Sequence, residues 1–546
     1  MNYEKWDEIL APYQHAVEEL KVKFKNIRKE FLTKGEYSPI EFVTGRTKKI
    51  SSIISKANRL DTNDIEGKID DIAGIRIMCQ FVEDIYTIVE LIKNRTDMTV
   101  INEKDYITNF KVPPRHFLMK IMVKLVLRLY EGVRIMKTVA IIGAGQRGQD
   151  IYGEFIKNNS NLGKVVAVVE PNDFRREKIK LEHNIRTENV FDNIEDFFKR
   201  EKLADVVIIS TLDRQHYEPV MKALDKGYNI LLEKPMSINK EECMDMVNKS
   251  EEKGLLLMVC HVLRYTSFFK NLKEIVDSGE IGDIITIQHN ENVGAFHMAH
   301  SFVRGNWRNS EETSSIILQK SCHDLDILSW IVGSKCDSVA SFGELTFFNK
   351  KHKPKGAADR CINCNIDNCM FDARKIYLDV IGKWPATVVS NIQTKEGILS
   401  QLEKNNYGRC VFECDNNVCD HQSTILKFEN GVTATFNLSG FTDEISRTIK
   451  IMGTKGEIRG HEGRNEIEVV KFRSNVKEKK NIKLYNIEKA NTGHNGGDGG
   501  LMIELFKLLE SGGRDSLSSG RKSLESHLMA FAAEESRLSG KVINLD

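Results

Sequence analysis

The stretch KTVAIIGAGQRGQDIYGEFIKN, beginning at Lys137, constrains the fold more than any other part of this chain. Val139 to Ile142 is a mostly β-branched apolar run without alternation, the pattern of a strand buried on both faces of a parallel sheet. Gly143, Gly145 and Gly148 follow as G-x-G-x-x-G. The first glycine permits a tight turn, the second lets backbone approach a pyrophosphate, and the third lets helix and strand pack closely. The start of the helix, at Gln146 and Arg147, then offers N–H groups and a partial positive charge to the phosphates. A second buried run, KVVAVVE, ends at Glu170, 22 residues after Gly148. A carboxylate there can accept both ribose hydroxyls and repels a 2′-phosphate. NAD is therefore the expected cofactor. Arg175 and Arg176 follow closely and leave NADP as the lesser alternative.

The pattern continues with ADVVIIST and YNILLEKP, separated by helical segments. Strands alternating with helices predict an α/β, doubly wound Rossmann sheet. Ligands of such sheets lie beyond the carboxyl ends of the strands. Ser210, Thr211, His216, Glu233, Lys234 and Pro235 all fall there. Farther on, GDIITIQHNENV, STILKFENGVTATFNLS and TIKIMGTKGEIRGH alternate or run apolar between ENG and KG turns. They predict an α+β domain with an open antiparallel sheet.

GAGQRG, STLDRQHYEP, LLEKP and HVLRY together resemble the Gfo/Idh/MocA oxidoreductases, over residues 136–546. The resemblance implies an NAD(P)-dependent enzyme acting on a sugar, inositol or related polyol. Some relatives instead use bound NAD to oxidise a sugar transiently and eliminate its glycosidic substituent, which is the alternative reaction. In Glu233-Lys234-Pro235 the resemblance implies that the lysine reaches the substrate hydroxyl and that the bond before proline is cis. In SSIILQKSCHDLDILSWIVG, read as one amphipathic helix after a loop, His323 and Asp326 match family positions. Gln319 stands where the family usually has an acid, one helical turn before His323. His323 is the candidate proton acceptor, and Lys320 is placed to depress its pKa by like-charge repulsion. Arg264, Tyr265 and His494, the last ahead of a glycine-rich loop, match segments near the substrate. A small-molecule substrate and a homo-oligomer built on the open sheet are the implied partners.

Six of the eleven cysteines crowd into residues 361–419. Cys361, Cys364 and Cys369, joined by Cys410 or Cys414, would make a closed tetrahedral thiolate site, which suggests structural zinc. An iron–sulfur cluster is the alternative by ligand count, and reduced surface thiols are the bland one.

Residues 1–109 resemble the small alarmone synthetases, which transfer pyrophosphate from ATP to GTP or GDP. YSPIEFVTGRTKKISSIISKANR and IDDIAGIRIMCQF carry the likeness. Arg46, Lys48, Ser52 and Lys56 match its phosphate-binding positions, and Asp71 its Mg²⁺ ligand. The guanine-stacking tyrosine segment and the later strand with its acting glutamate do not follow. An inactive fragment is expected, with a nucleotide-binding regulator as the alternative. Residues 110–135, FKVPPRHFLMKIMVKLVLRLYEGVRI, read as a junction of translated out-of-frame or intergenic sequence, because Glu131-Gly132 can be encoded by a ribosome-binding sequence ahead of Met136. The remaining boundaries are 136–257 for the dinucleotide-binding domain and 258–546 for the second, with the cysteine-rich insertion at 361–421.

Lys+Arg (79) and Asp+Glu (78) nearly cancel, which gives no electrostatic case for nucleic acid. No uncharged apolar run approaches the length needed to span a bilayer, and the N-terminus lacks a signal-peptide pattern. A cytoplasmic protein without membrane partners is expected.

Overall fold

The computed structural model describes residues 4–34, 36–48, 50, 52–53, 56, 72–79, 81–93, 102–104, 120–122, 136–475, 481–487 and 493–545. It divides into one unit ending at Ile135 and another beginning at Met136.

In the first unit, the helix Glu4–Thr33 packs on an antiparallel pair, β1 (Phe42–Thr47) and β2 (Ala73–Met78), followed by the helix Val82–Lys93. Phe24, Ile40, Val43, Ile88 and Ile92 make a small core. Arg46 is an exposed residue of β1, Ser52 is exposed, and Lys48 and Lys56 are half-buried. Asp71 lies outside the described residues. Two short strands, β3 (Asn102–Lys104) and β4 (Lys120–Met122), pair antiparallel. β4 lies within the stretch read as a junction, so part of that stretch joins a strand pair.

The second unit opens on a six-stranded parallel sheet. Its strands are β5 (Lys137–Ile142), β6 (Gly163–Val169), β7 (Val190–Phe191), β8 (Val206–Ile209), β9 (Asn229–Leu232) and β10 (Leu257–Val259), in the order β10-β9-β8-β5-β6-β7. Ala140 and Ile142 of β5 enter one apolar core while Val139 and Ile141 enter another. Covering both faces is why this strand reads as a continuous apolar run. The chain moves outward in opposite directions from β5 and β8, so the ligand-binding crevice of the sheet opens between their carboxyl ends. β10 runs to Val259, past the expected boundary at residue 257. The helix Gly497–Ser511 also returns to this domain: Leu501, Met502, Leu505 and Phe506 fill its core. The domains therefore do not follow one another as two contiguous segments.

The second sheet has nine strands: β11 (Ile284–Asn292), β12 (Cys336–Glu344), β13 (His421–Phe428), β14 (Thr433–Ser439), β15 (Ser446–Gly453), β16 (Gly456–His461), β17 (Glu466–Lys471), β18 (Asn481–Asn486) and β19 (Ile543–Asn544). Their order is β18-β17-β16-β15-β11-β14-β13-β12-β19. All neighbours are antiparallel except β11 and β14, which run parallel, so the sheet is mixed. Alternate residues of β13 are buried and exposed, as expected when one face meets helices and the other does not. The helix Gly520–Ser539 lies against β12 and against the helix Cys322–Val332.

Residues 314–333 are not one amphipathic helix. Ile316–Gln319 and Cys322–Val332 are separate helices, broken at Lys320 and Ser321. Cys322 to Leu328 are all buried. Burial on every side reflects the position of this helix between the mixed sheet and the last long helix, which periodicity alone does not reveal.

Candidate active site

The glycine turn has the geometry of a phosphate cradle. Gly143 adopts φ +91°, and a Cβ there would meet the Ser210 carbonyl oxygen at 2.8 Å. A Cβ on Gly148 would lie 2.0 Å from the Gly143 carbonyl oxygen. By contrast, a Cβ on Gly145 would have only Arg175 Nη1, at 3.9 Å, within reach. Space is thus left open at the one glycine whose backbone must approach a pyrophosphate. The helix beyond begins at Gln146 with a π-helical segment that runs to Gly153. Glu170, 5% exposed at the end of β6, accepts from Ala144 N–H at 2.7 Å and from Asn172 N–H at 3.0 Å. Its carboxylate is held beside the turn, and each oxygen retains a lone pair for a ribose hydroxyl. The donor set, the open glycine and the strand-end carboxylate fit a dinucleotide.

Ser210 and Thr211 cap β8. Ser210 Oγ donates to Gly143 O at 2.8 Å, and Thr211 Oγ1 to Gln215 O at 3.1 Å. His216 is buried, with Nδ1 2.7 Å from Pro235 O and Nε2 3.2 Å from Thr211 O. It braces the loops that leave β8 and β9 against each other. Lys234-Pro235 is cis.

Arg147 and Glu233 meet. The guanidinium of Arg147 bridges Glu233 and Asp498, the latter at 2.7 Å, and Tyr152 donates to Glu233. Burial works to raise the Glu233 pKa, but Arg147 and Tyr152 hold it below its ordinary value. Asp498, from the glycine-rich segment that follows His494, thereby ties the last part of the chain to the dinucleotide turn. The side chain of His494 lies outside the described residues.

Lys234 is half-buried, and its ammonium donates to Gln319 O at 2.6 Å. Gln319 itself is 2% exposed; its amide donates to the carbonyls of Trp307 (3.0 Å) and Ser314 (2.9 Å). His323, 7% exposed, stands edge-to-face with His261 at 5.6 Å between centroids. Burial first, then Arg264 and Lys234, keep the His261 pKa well below the ordinary value. His261 thus packs on His323 and lies close enough to Arg264 and Lys234 for their charges to lower its pKa.

Lys320 forms an ion pair with Glu291 at 3.2 Å. Glu291 in turn faces Arg447 across the β11–β15 pairing and forms a second ion pair with it. Asp324 accepts from Arg447 Nε and from His289 Nε2, both at 2.8 Å. Burial would raise Asp324, but Arg447 and His289 hold its pKa well below the carboxylate range. Burial outweighs both cations at Glu291 and raises its pKa. Lys320 is thus anchored to a buried carboxylate from the mixed sheet. Sequence reasoning missed this network; its only sequence signal is His289 and Glu291 alternating along β11.

Asp326, Arg264 and Tyr265 lie deeper than expected. Arg264 grips both Asp326 oxygens, at 2.6 and 2.8 Å, and Leu517 O at 2.9 Å, and is 3% exposed. Tyr265 is 4% exposed and bonds to Ser518 Oγ. All three side chains are buried.

The expectation of structural zinc finds no support here. Among the described residues no group of three or more His, Cys, Asp or Glu side chains is placed to hold a metal ion. Cys361, Cys364, Cys369 and Cys410 do line one cavity, but Arg304 lines it too. Its fully buried guanidinium donates toward Cys361 Sγ at 3.4 Å. A cation thus already sits in the wall where a metal cation would have to bind. Burial raises the Cys369, Cys410 and Cys414 thiols, and Cys414 Sγ donates to Cys410 O at 3.3 Å.

Known proteins share these features. Residues 137–261 match the model of the oxidoreductase family's NAD-binding Rossmann fold, and residues 273–545 that family's C-terminal alpha/beta domain. Residues 45–124 match the region found in RelA / SpoT proteins. The chain is 49% identical over 113 residues to the GTP pyrophosphokinase YjbM of Bacillus subtilis, covering 20% of this chain and 53% of that protein. It is 27% identical over 210 residues to 2,7-anhydro-N-acetylneuraminate hydratase of Mediterraneibacter gnavus, covering 38% and 53%. The chain spans about half the length of these curated relatives. The structure of a levoglucosan dehydrogenase in complex with NADH superposes with a TM-score of 0.55 at 18% identity, covering 75% of this chain and 99% of that one.

Proposed function

Since the chain belongs to the Gfo/Idh/MocA oxidoreductase family, we propose that residues 136–546 form a dehydrogenase of a sugar, inositol or related polyol, with NAD rather than NADP as its cofactor. NAD, when bound, accepts the hydride released by a hydroxyl-bearing carbon. The backbone at Gly145 receives the pyrophosphate, and Glu170 takes the ribose hydroxyls. Lys234 donates a hydrogen bond to the reacting oxygen, and His323 accepts the hydroxyl proton. Lys320, anchored by Glu291, presents a second ammonium to the substrate. Asp326, with Arg264, positions the helix that carries His323. The observation that carries this reading is the 2.6 Å bond from Lys234 to Gln319 O, which holds a strand-end ammonium against the segment leading into His323. The test is absorbance at the NADH band for the full chain with NAD across a panel of sugars and inositols. Turnover is expected with at least one; full NAD binding without NADH from any of them overturns the reading.

A second reaction on the same site has one specific support, the likeness to a 2,7-anhydro-N-acetylneuraminate hydratase. In it the hydride returns to the sugar after a transient oxidation, so product forms without net NADH. Product chromatography beside the absorbance assay separates the two.

For the first unit we propose loss of pyrophosphate transfer. Its likeness to a GTP pyrophosphokinase spans about half of that protein, and the segments expected to hold guanine and act on the attacking hydroxyl are absent from the sequence. ATP with GTP should give no pyrophosphorylated product. We also propose a homo-oligomer joined through the outer face of the mixed sheet, where Ile285, Phe342 and Ile425 are exposed. Sedimentation tests it. Among the described residues no helix is long and apolar enough to cross a membrane.

A further inference from the structure

The cysteine-rich insertion has a small core of its own, built on Ala373, Tyr377, Ala386, Val389, Ile398 and Leu402. It is not a detached appendage. Arg304, fully buried, donates to Phe371 O at 2.6 Å and Arg409 O at 2.7 Å. His300 bonds to the Tyr377 hydroxyl at 2.9 Å and stacks on Tyr407 at 4.8 Å. Both anchors come from the segment that follows β11, the strand whose Glu291 holds Lys320. The insertion is therefore pinned to the segment that follows β11.

What it presents there is aromatic. Trp384 is 37% exposed, and its ring stands edge-on to His297 at 5.1 Å and near Phe296 at 5.9 Å. His297 connects to the site through rings: it packs on Phe302 at 5.7 Å between centroids. At the other end, Trp307 is 38% exposed, packs on Phe302, and offers its carbonyl to the Gln319 amide. Phe296 is 37% exposed. Partly exposed aromatic rings thus run from Gln319 outward to the insertion. Ligand sites combine such faces with a few convergent polar groups. Here the polar groups Lys234, Lys320 and His323 cluster at the inner end, and the outer end offers ring faces without a charged side chain among the named contacts. A sugar ring has an apolar face of C–H bonds that matches an aromatic plane, while its hydroxyl rim stays in water. Trp384 packs on His297, His297 on Phe302 and Phe302 on Trp307, whose carbonyl accepts from Gln319, the partner of Lys234; a ring reacting at Lys234 leaves Trp384 for a ring attached to it.

We propose that Trp384, delivered by the insertion, with Phe296, forms a subsite for a second sugar ring, so that the substrate is a di- or oligosaccharide oxidised at one end. This rests on the dehydrogenase reading above and adds the substrate's size to it. The experiment compares kcat/KM for NADH formation between monosaccharides and disaccharides carrying the same ring at the oxidised end, using the full chain with NAD. The disaccharide is expected to exceed its monosaccharide by about tenfold or more, which corresponds to about 1.4 kcal/mol of added binding. In Trp384→Ala that ratio collapses toward one, mainly through KM, and in Trp384→Phe, which keeps a ring face, it largely returns. Thermal melting of both variants shows whether they fold. If Trp384→Ala does not fold, the ratio measured in Trp384→Leu and Phe296→Ser decides instead. A disaccharide advantage absent from the parent chain, or unchanged in the folded variants, overturns the subsite and leaves the dehydrogenase standing. Full NAD binding with no NADH from any sugar overturns both.

Discussion

The ammonium of Lys234 and the main-chain carbonyl of Gln319, 85 residues apart in sequence, meet at 2.6 Å. Among the described residues no carboxylate forms an ion pair with this ammonium, which leaves its remaining N–H groups for an oxygen in the crevice. Lys234→Met is expected to lower kcat/KM by about 10²- to 10⁴-fold, the usual contribution of a positioned proton-transfer or hydrogen-bonding group. The stability loss should be only about 1 kcal/mol, the net worth of one hydrogen bond. Steady-state kinetics alongside denaturant melts check it. A fall in turnover of less than tenfold would remove Lys234 from the chemistry.

The three turn glycines separate binding from folding. Gly145→Ala adds a methyl where no atom lies closer than 3.9 Å, so the fold should survive with little change in melting temperature. NAD affinity should fall at least tenfold, because the methyl enters the space through which pyrophosphate approaches backbone. Gly148→Ala places its methyl 2.0 Å from a main-chain oxygen and should destabilise the whole domain. Calorimetry with NAD and thermal melts of the two variants should show this opposite split.

Arg264 and Asp326 are a buried, two-pronged ion pair. Burial works to raise the Asp326 pKa and Arg264 opposes it. Asp326→Ala leaves the guanidinium buried without its partner and is expected to cost about 3–5 kcal/mol. Urea unfolding measures this. A stable Asp326→Ala chain that fails only in kcat would contradict a supporting role and restore the direct catalytic one.

Four buried histidines predict the direction of acid sensitivity. Burial lowers His300 and His527 to about 3, and holds His261 and His297 well below their ordinary value. An unfolded histidine takes up its proton near pH 6.5, whereas these folded ones do not until the pH is far lower. Between those limits the unfolded chain binds more protons, so stability falls as pH falls. The melting temperature should hold above about pH 7 and drop steadily as the medium is acidified toward pH 5. His527→Gln should flatten that slope. A melting temperature constant from pH 7 to 5 would mean that these rings are not held neutral.

Much of the fold was legible because it depends on local pattern. The glycine spacing, the unalternating apolar run of β5 and Glu170 at the end of β6 are set by backbone geometry and burial, and they locate the dinucleotide turn without knowledge of any contact. The alternation in β13 likewise marks a sheet with one covered face. The break between Ile316–Gln319 and Cys322–Val332 was not legible, since both halves are apolar and the interruption follows from what surrounds them. The same holds for Arg264 and Tyr265. Their motif marks them as important, but only packing shows that Arg264 holds Asp326 and that Tyr265 meets Ser518.

The sequence by itself determined the class of this protein: a parallel nucleotide-binding sheet, its strand-end lysine and a helix histidine, preceded by a different and shorter piece. Periodicity and glycine geometry encode the sheet and its turn directly, because both depend on spacing along one chain segment; the lysine, the histidine and the N-terminal piece are marked by their family motifs. Tertiary structure alone decided which charges neutralise one another and what lines the crevice. It paired Arg147 with Asp498 and Lys320 with Glu291, set Arg304 among the cysteines where a metal had been expected, and carried Trp384 to the side of His297. The physical reason is that ion pairs and ring contacts act over a few ångströms of space, between residues as many as 351 positions apart.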